Sequence, residues 1–218
     1  MRSNQELIKK FGENISNKTN LSSYSWFNLG GPAEYFFKPK SKQQLIEFLE
    51  ENKQNKLKLT ILGAGSNLLI RDNGIKGVVI KLGAPFSKIK LVEKDVIEAG
   101  AAALDRKVSN FAKENGIGNL EFLSCIPGSL GGAIIMNSGC YETDISEVLV
   151  SIKVIDLQSC KEKEIKREDI KFFYRGSNLP NGLIITSVKL KGKEQSKEII
   201  EKKQYKFIQK KSLPSQAK

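Results

Sequence analysis

Four glycines, Gly128, Gly131, Gly132 and Gly139, crowd into the thirteen residues from Pro127 to Gly139, a run that is otherwise largely apolar. Inside a regular element a glycine costs about 0.5–1 kcal/mol relative to alanine, so such a run needs a steric reason. Two serve: a flat ligand lying against the backbone, or a tight crossing of one element over another. A second small-residue segment, Gly63-Ala-Gly-Ser-Asn67, follows directly on the alternating stretch Lys56–Leu62. A turn placed after a strand can gather successive N–H groups into an anion-binding nest, or it is simply a turn. It is not a Walker loop, because no Lys-Ser/Thr follows, and it is not a G-x-G-x-x-G fingerprint.

The chain around these segments has 218 residues, room for one large domain or two small ones. With 39% hydrophobic and 28% charged residues it has the balance of a globular protein with a real core. There is no histidine, so neither a Ser-His-Asp or Cys-His pair nor an imidazole-ligated metal site can be built from this chain, and no metal is expected. The three cysteines, Cys125, Cys140 and Cys160, show no C-x-x-C spacing, which disfavours a zinc ribbon, a redox pair or a disulfide scaffold. They read as small buried hydrophobes in a reducing cytoplasm. The formal charge is +12, but from Lys189 to Lys218 ten lysines face three glutamates, so the basicity belongs mainly to the C-terminal segment. A nucleic-acid-binding module driven by that lysine tail is the alternative from another class, yet no stacking-aromatic pattern or binding motif supports it, and nucleic acid is not an expected partner. No targeting segment or apolar run of ~20 residues is visible, so no membrane association is expected.

Periodicity divides the chain into two α+β parts. Asn4 is a candidate cap for a short helix carrying Leu7, Ile8 and Phe11. The polar stretch from Asn17 to Gly31 ends in a turn at Gly30-Gly31-Pro32, and Ala33–Lys38 reads as a strand. Ser41-Lys-Gln-Gln44 has the form of a capping box, in which serine hydroxyl and glutamine amide satisfy backbone N–H groups reciprocally. The helix behind it should bury Leu45, Ile46, Phe48 and Leu49, with strands at Lys56–Leu62 and Val78–Leu82. Further strands are predicted at Ile89–Glu93 and Val96–Ala99, and a helix over Leu104–Asn115 with Leu104, Val108, Phe111 and Ala112 on one face, stopped by Gly116-Ile-Gly118. Val148–Leu157, Glu162–Lys166 and Leu183–Leu190 alternate as strands of an antiparallel sheet. A last helix carries Ile199, Ile200, Phe207 and Ile208 among lysines. The expected division is a lead-in at 1–20, lobes at 21–85 and 86–192, and a basic helix at 193–218.

Phe172-Phe-Tyr-Arg-Gly-Ser177 is the third segment with chemistry in it. Arg175 is one of five arginines among 31 lysines, and a guanidinium is a permanently charged fork suited to a carboxylate or a developing enolate, or to a structural salt bridge. Taken in order, the aromatic-Asn-Leu-Gly-Gly-Pro-Ala of Phe27–Ala33, the Leu-Gly-Ala-Gly-Ser-Asn-Leu-Leu of Leu62–Leu69, the Leu-Glu-Phe-Leu…Ile-Pro-Gly-Ser-Leu-Gly-Gly-Ala…Met-Asn-Ser-Gly of Leu120–Gly139, and the Phe-x-Tyr-Arg-x-Ser of Phe172–Ser177 closely resemble the UDP-N-acetylmuramate dehydrogenase (UDP-N-acetylenolpyruvoylglucosamine reductase) family. The resemblance spans about Leu21 to Leu190. It implies an α+β, two-lobed FAD-binding fold of the vanillyl-alcohol-oxidase (PCMH) type.

On that resemblance Gly63, Ala64, Gly65, Ser66, Asn67 and Leu68 form the pyrophosphate loop of a non-covalently bound FAD. Pro127, Gly128, Gly131, Gly132, Ala133, Asn137 and Gly139 lie along the flavin. Tyr174 binds substrate and Arg175 is catalytic. The implied reaction takes hydride from NADPH through the flavin to the enol-ether carbon of a UDP-sugar enolpyruvyl ether, in peptidoglycan precursor synthesis in the cytoplasm. Charge then develops toward the substrate carboxylate, where a fixed cation favours the transition state over the ground state. The expected state is a monomer.

The family's Gly-Ser-x-Phe-Lys-Asn-Pro motif with its proton-donating serine, its C-terminal catalytic glutamate and its third, substrate-binding domain do not occur in this chain. Ser212 and Ser215 match nothing in that motif. The expectation is therefore a truncated member of the family's shorter class, either a chain cut short or a remnant that holds flavin without turnover. Ala64 and Cys125 stand where the family commonly has glycine, and the Cys125 side chain is expected to crowd the flavin contact.

Overall fold

The structure, a computed structural model, describes residues 4–141 and 143–212. Helix α1 (Asn4–Phe11) places Leu7 and Phe11 in the core, as its spacing demands; the capping role of the Asn4 side chain, and Ser215 in the tail, lie outside what is described. Four strands make the first sheet: β1 (Ile15–Asn20), β2 (Pro32–Phe37), β3 (Leu59–Leu62) and β4 (Ile75–Lys81), in the order β1-β2-β4-β3. β1 is antiparallel to β2, whereas β2, β4 and β3 run parallel. β1 was not foreseen, because an edge strand with one buried and four exposed residues has no apolar alternation to read.

Helix α2 (Lys42–Asn55) covers this sheet, burying Leu45, Phe48 and Leu49 and half-burying Ile46. Its start departs from a strict capping box. Ser41 Oγ accepts the Gln44 N–H at 3.0 Å, but the Gln44 amide oxygen reaches one residue further back, to the Lys40 N–H at 2.7 Å. Its end explains why the following strand begins at Leu59 and not Lys56. Lys56 is left-handed (φ 53°) and caps the helix, and the buried Asn52 amide donates to Leu57 O at 3.0 Å and accepts from Leu57 N at 3.2 Å. Phe11, Phe37 and Phe48 meet as an aromatic trio, with the Phe37 and Phe48 rings stacked at 4.2 Å.

The predicted turn at Gly30-Gly31-Pro32 is pinned against a second turn at Asp72–Gly74. Gly74 is left-handed (φ 69°), and a Cβ there would overlap the Pro32 carbonyl oxygen. Gly74→Ala should therefore cost on the order of 3 kcal/mol, read as a lower denaturant midpoint at unchanged m-value.

The second sheet is antiparallel throughout: β5 (Ile89–Glu93), β6 (Val96–Gly100), β7 (Leu149–Asp156), β8 (Glu162–Lys166) and β9 (Leu183–Lys191), ordered β8-β7-β9-β6-β5. Helix α3 (Asp105–Glu114) starts one residue later than predicted. Leu104, expected on its buried face, instead has extended backbone, bridges to Ser129 and is 45% exposed. Pro127–Gly139 becomes a loop, a short helix α4 (Leu130–Ile135) and the two-residue strand Gly139–Cys140. The basic helix α5 (Lys197–Ser212) is docked onto the second half. Ile200 is buried, Gln204 donates to Ser109 Oγ at 2.8 Å, and Phe207 stacks on Tyr141 with Tyr141 Oη donating to the Phe207 carbonyl. No disulfide forms among the described residues, and Cys125 and Cys160 are buried. Among the described residues no helix is long and apolar enough to cross a membrane, and no cluster of His, Cys, Asp and Glu could hold a metal.

A single apolar core passes through both sheets, taking in Phe37, Val78 and Ile80 on one side and Ile97, Ile152 and Val188 on the other. A small satellite behind the first sheet holds Leu21, Ala33, Phe36, Leu62, Ile70 and Val79.

Candidate functional site

Between the two sheets lies a cleft of about 930 Å³, and its two walls are the two glycine-bearing segments. One wall is the end of β3 and the loop after it: Gly63, Ala64, Gly65, Ser66, Asn67 and Leu68 all line the cleft. Pro127, Gly128, Gly131, Gly132, Ala133 and Gly139 line the other, with Cys125 and Cys140 beside them and Arg175 also in the lining. The walls approach closely at one point, since a Cβ on Gly63 would stand 2.9 Å from Ser129 Oγ.

The alternatives left open for the glycine run separate residue by residue. Gly131 serves packing: a Cβ there would come 3.0 Å from the Ala101 Cβ. Gly139 does the same against Asp144, whose Cβ would lie 2.6 Å away. Gly132 does not. A Cβ on it would meet only Ser129 Oγ, at an ordinary 3.6 Å, so the space in front of it is cleft. That is a wall shaped for a flat body laid against the backbone.

Two expected site residues are not in the lining. Asn137 is buried beside it, and its amide is spent inside the protein: Nδ2 donates to Asp144 Oδ2 at 3.1 Å and to the Phe173 carbonyl at 3.3 Å, while Oδ1 accepts the Ser146 N–H. The Asn137 amide thus ties the α4 end to the segment that carries Arg175. Tyr174 is 89% exposed and stands clear of the lining, its ring 5.6 Å from the Arg175 guanidinium carbon.

Arg175 itself has a left-handed backbone (φ 58°), a conformation that disfavours a side chain and is retained where surrounding structure enforces it. With Tyr174 it forms the turn that joins the two-residue strands Phe172–Phe173 and Gly176–Ser177 of a small antiparallel ladder. Its Nη1 donates to the Gly139 carbonyl at 3.4 Å, and among the described residues it makes no ion pair. The salt-bridge reading of Arg175 is therefore set aside; its charge is uncommitted at the cleft.

Three lining residues carry no signal in sequence. Lys81, at the end of β4, donates from Nζ to the Gly63 carbonyl, and burial, with Lys38 nearby, holds its ammonium below the usual lysine range. Ser129 lies inside the Pro127–Gly139 run, where the glycines and not the serine carry the pattern. Asp105 looks like an ordinary acid in the first turn of a helix, yet it is fully buried in the cleft wall. Burial alone pushes its carboxyl up to about 8.

Comparison with known proteins agrees with this geometry. A family model described as "FAD binding domain" matches residues 33–160. The UDP-N-acetylenolpyruvoylglucosamine reductase of Pelagibacter ubique is 46% identical over 200 residues, covering 90% of this chain and 66% of its own length. That of Rickettsia bellii is 43% identical over 182 residues, covering 83% and 60%. The chain thus spans just under two thirds or less of the length of these curated relatives. Among solved structures, the UDP-N-acetylenolpyruvylglucosamine reductase of Thermus caldophilus superposes with a TM-score of 0.78 at 29% identity, over 92% of this chain and 70% of that one. An alkyldihydroxyacetonephosphate synthase superposes at a TM-score of 0.64 and 11% identity over 88% of this chain and 44% of that one, a likeness of fold alone. The expected α+β, two-lobed FAD-binding fold of the vanillyl-alcohol-oxidase type is the fold found.

Proposed function

This chain belongs to the FAD binding domain family, and we propose that its cleft holds FAD non-covalently as the flavin-carrying part of a UDP-N-acetylenolpyruvoylglucosamine reductase. The observation that carries the reading is the cleft itself: two glycine-bearing walls, one of them open at Gly132, with an uncommitted guanidinium beside them. Residues 21–85 and 86–192 are the two lobes in this reading.

The residues present fit the cofactor. Gly63–Leu68 offer their backbone N–H groups to the pyrophosphate, with Lys81 holding the Gly63 carbonyl and so the loop's orientation. The Pro127–Ala133 wall gives a flat ring system a backbone surface to lie on, and the apolar lining excludes water from it. Bound flavin supplies a two-electron hydride carrier, with NADPH as the reductant. Arg175 faces the negative charge that develops toward the carboxylate of the UDP-sugar enolpyruvyl ether and stabilises it more in the transition state than in the ground state. Tyr174 is its neighbour on the substrate, a role supported by their mutual packing. The same reading puts the reaction in peptidoglycan precursor synthesis, in the cytoplasm.

Purified protein mixed with FAD and desalted should keep an absorption band at about 450 nm. A colourless protein would sink the reading. Arg175→Ala should load flavin as well as the unaltered chain and, carried into a complete enzyme, slow reduction of the enolpyruvyl substrate by NADPH about 100-fold or more; an unchanged rate would remove Arg175 from the mechanism.

A further inference from the structure

Among the described residues the buried side-chain atoms without a hydrogen-bond partner are Ser25 Oγ, Glu121 Oε1 and both carboxyl oxygens of Asp105. Asp105 stands out because neither oxygen of its buried carboxyl has a partner among the described residues, and Asp105 and Gly128 both line the cleft. A buried polar group left unpaired costs about 1–3 kcal/mol, and native proteins keep few of them. The carboxyl is held in place by backbone: the Asp105 N–H donates to the Gly128 carbonyl at 3.2 Å, and Leu130 N–H donates to the Ala103 carbonyl at 2.9 Å. On the Gly128 side a Cβ would stand 2.6 Å from Asp105 Oδ2, so at this glycine no side chain comes between the buried carboxyl and the cleft.

We infer that Asp105 is a further binding residue of the cleft, its carboxyl pairing through Gly128's bare face with an edge of the bound flavin nucleotide that carries a donor beside an acceptor. The inference rests on the reading that the cleft holds FAD. Two parts of that nucleotide present such an edge. One is the imide of the isoalloxazine, an N–H flanked by carbonyls; the other is the aminopyrimidine edge of adenine, an NH₂ beside a ring nitrogen. A carboxyl matches either with two parallel hydrogen bonds, since its O–H donates while its C=O accepts. No covalent change is involved.

The test uses the full chain, stripped of flavin, and titrates FAD into the unaltered protein, Asp105→Asn and Asp105→Leu, with the melting temperature of each taken before FAD is added. Asparagine keeps a donor and an acceptor and should hold FAD within about threefold of the unaltered chain, whereas leucine should lose about tenfold or more. The leucine form should also melt at the same or a higher temperature, because it removes an unpaired carboxyl from the interior. Riboflavin and ADP, titrated separately, identify the edge: the loss follows riboflavin if the ring is the partner and ADP if the adenine is. Leucine binding FAD within twofold of the unaltered chain would overturn the inference, as would a loss of binding accompanied by a lower melting temperature, which marks a merely structural residue. Failure of the unaltered chain to bind FAD would instead overturn the reading of the cleft, and this inference with it.

Discussion

Between pH 4 and pH 8 the flavin-free protein should lose stability as the pH rises, and Asp105→Asn should abolish that loss. Burial moves the Asp105 carboxyl from its ordinary 3.8 to about 8. In the unfolded chain it ionises near 4, while in the folded protein it stays protonated until about pH 8, so across this window the native state binds one more proton. Stability then falls with rising pH, and the fall is complete once the folded group ionises too. The full effect is on the order of 5 kcal/mol, a large share of a small protein's total stability. Other groups act in the opposite sense and at lower pH. Backbone and side-chain hydrogen bonds from Ser159 hold Asp156 down at about 2, so the stability it contributes is present above its ordinary 3.8 and lost as the pH falls toward 2. Urea midpoints of the two proteins at closely spaced pH values isolate Asp105, since all other titrations are common to both. Parallel curves would mean that the carboxyl is solvated or paired in solution.

Gly132→Leu should abolish flavin loading while leaving the fold intact. The position is helical, where leucine is favoured over glycine by several tenths of a kcal/mol or more, and its Cβ would meet nothing closer than Ser129 Oγ at 3.6 Å. The rest of the side chain then has only the cleft to occupy. A loss of about 100-fold or more in FAD affinity is expected, on the order of 3 kcal/mol, with a melting temperature equal to or above that of the unaltered chain. The neighbouring Gly131→Leu is the contrast: it drives a side chain into Ala101 and should destabilise the protein first. If both variants bind FAD normally, the flat body does not lie on this wall.

What could be read before the structure was whatever periodicity or punctuation reports. The amphipathic helix α2, its serine cap and the alternating strands of the second sheet all followed from local pattern. Strand β1 could not, because its residues face solvent and its order comes from the ladder with β2. Leu104 misled because helical spacing continues through it, although its backbone is extended and paired with Ser129. Within the cleft, the glycines were legible as a group, but only the packed neighbours of each reveal that Gly131 is there for close approach and Gly132 for open space. Asp105 was invisible for the opposite reason. An acid at a helix start is so ordinary that nothing in its neighbours' identities announces a carboxyl without partners.

The continuity of the apolar core through both sheets bears on how a cofactor gets in and out. Two halves that share an interior cannot swing apart as rigid bodies without exposing Val78, Ile80, Ile97 and Val188 together, at a cost comparable to unfolding. Entry must therefore proceed at the mouth, by local breathing of the loop after β3 and the segment around Arg175, and escape of the cofactor should be slow for the same reason. Heat should melt the protein in one cooperative step, and FAD should raise the temperature of that whole step in proportion to the logarithm of its concentration, with no part of the molecule left behind to melt alone.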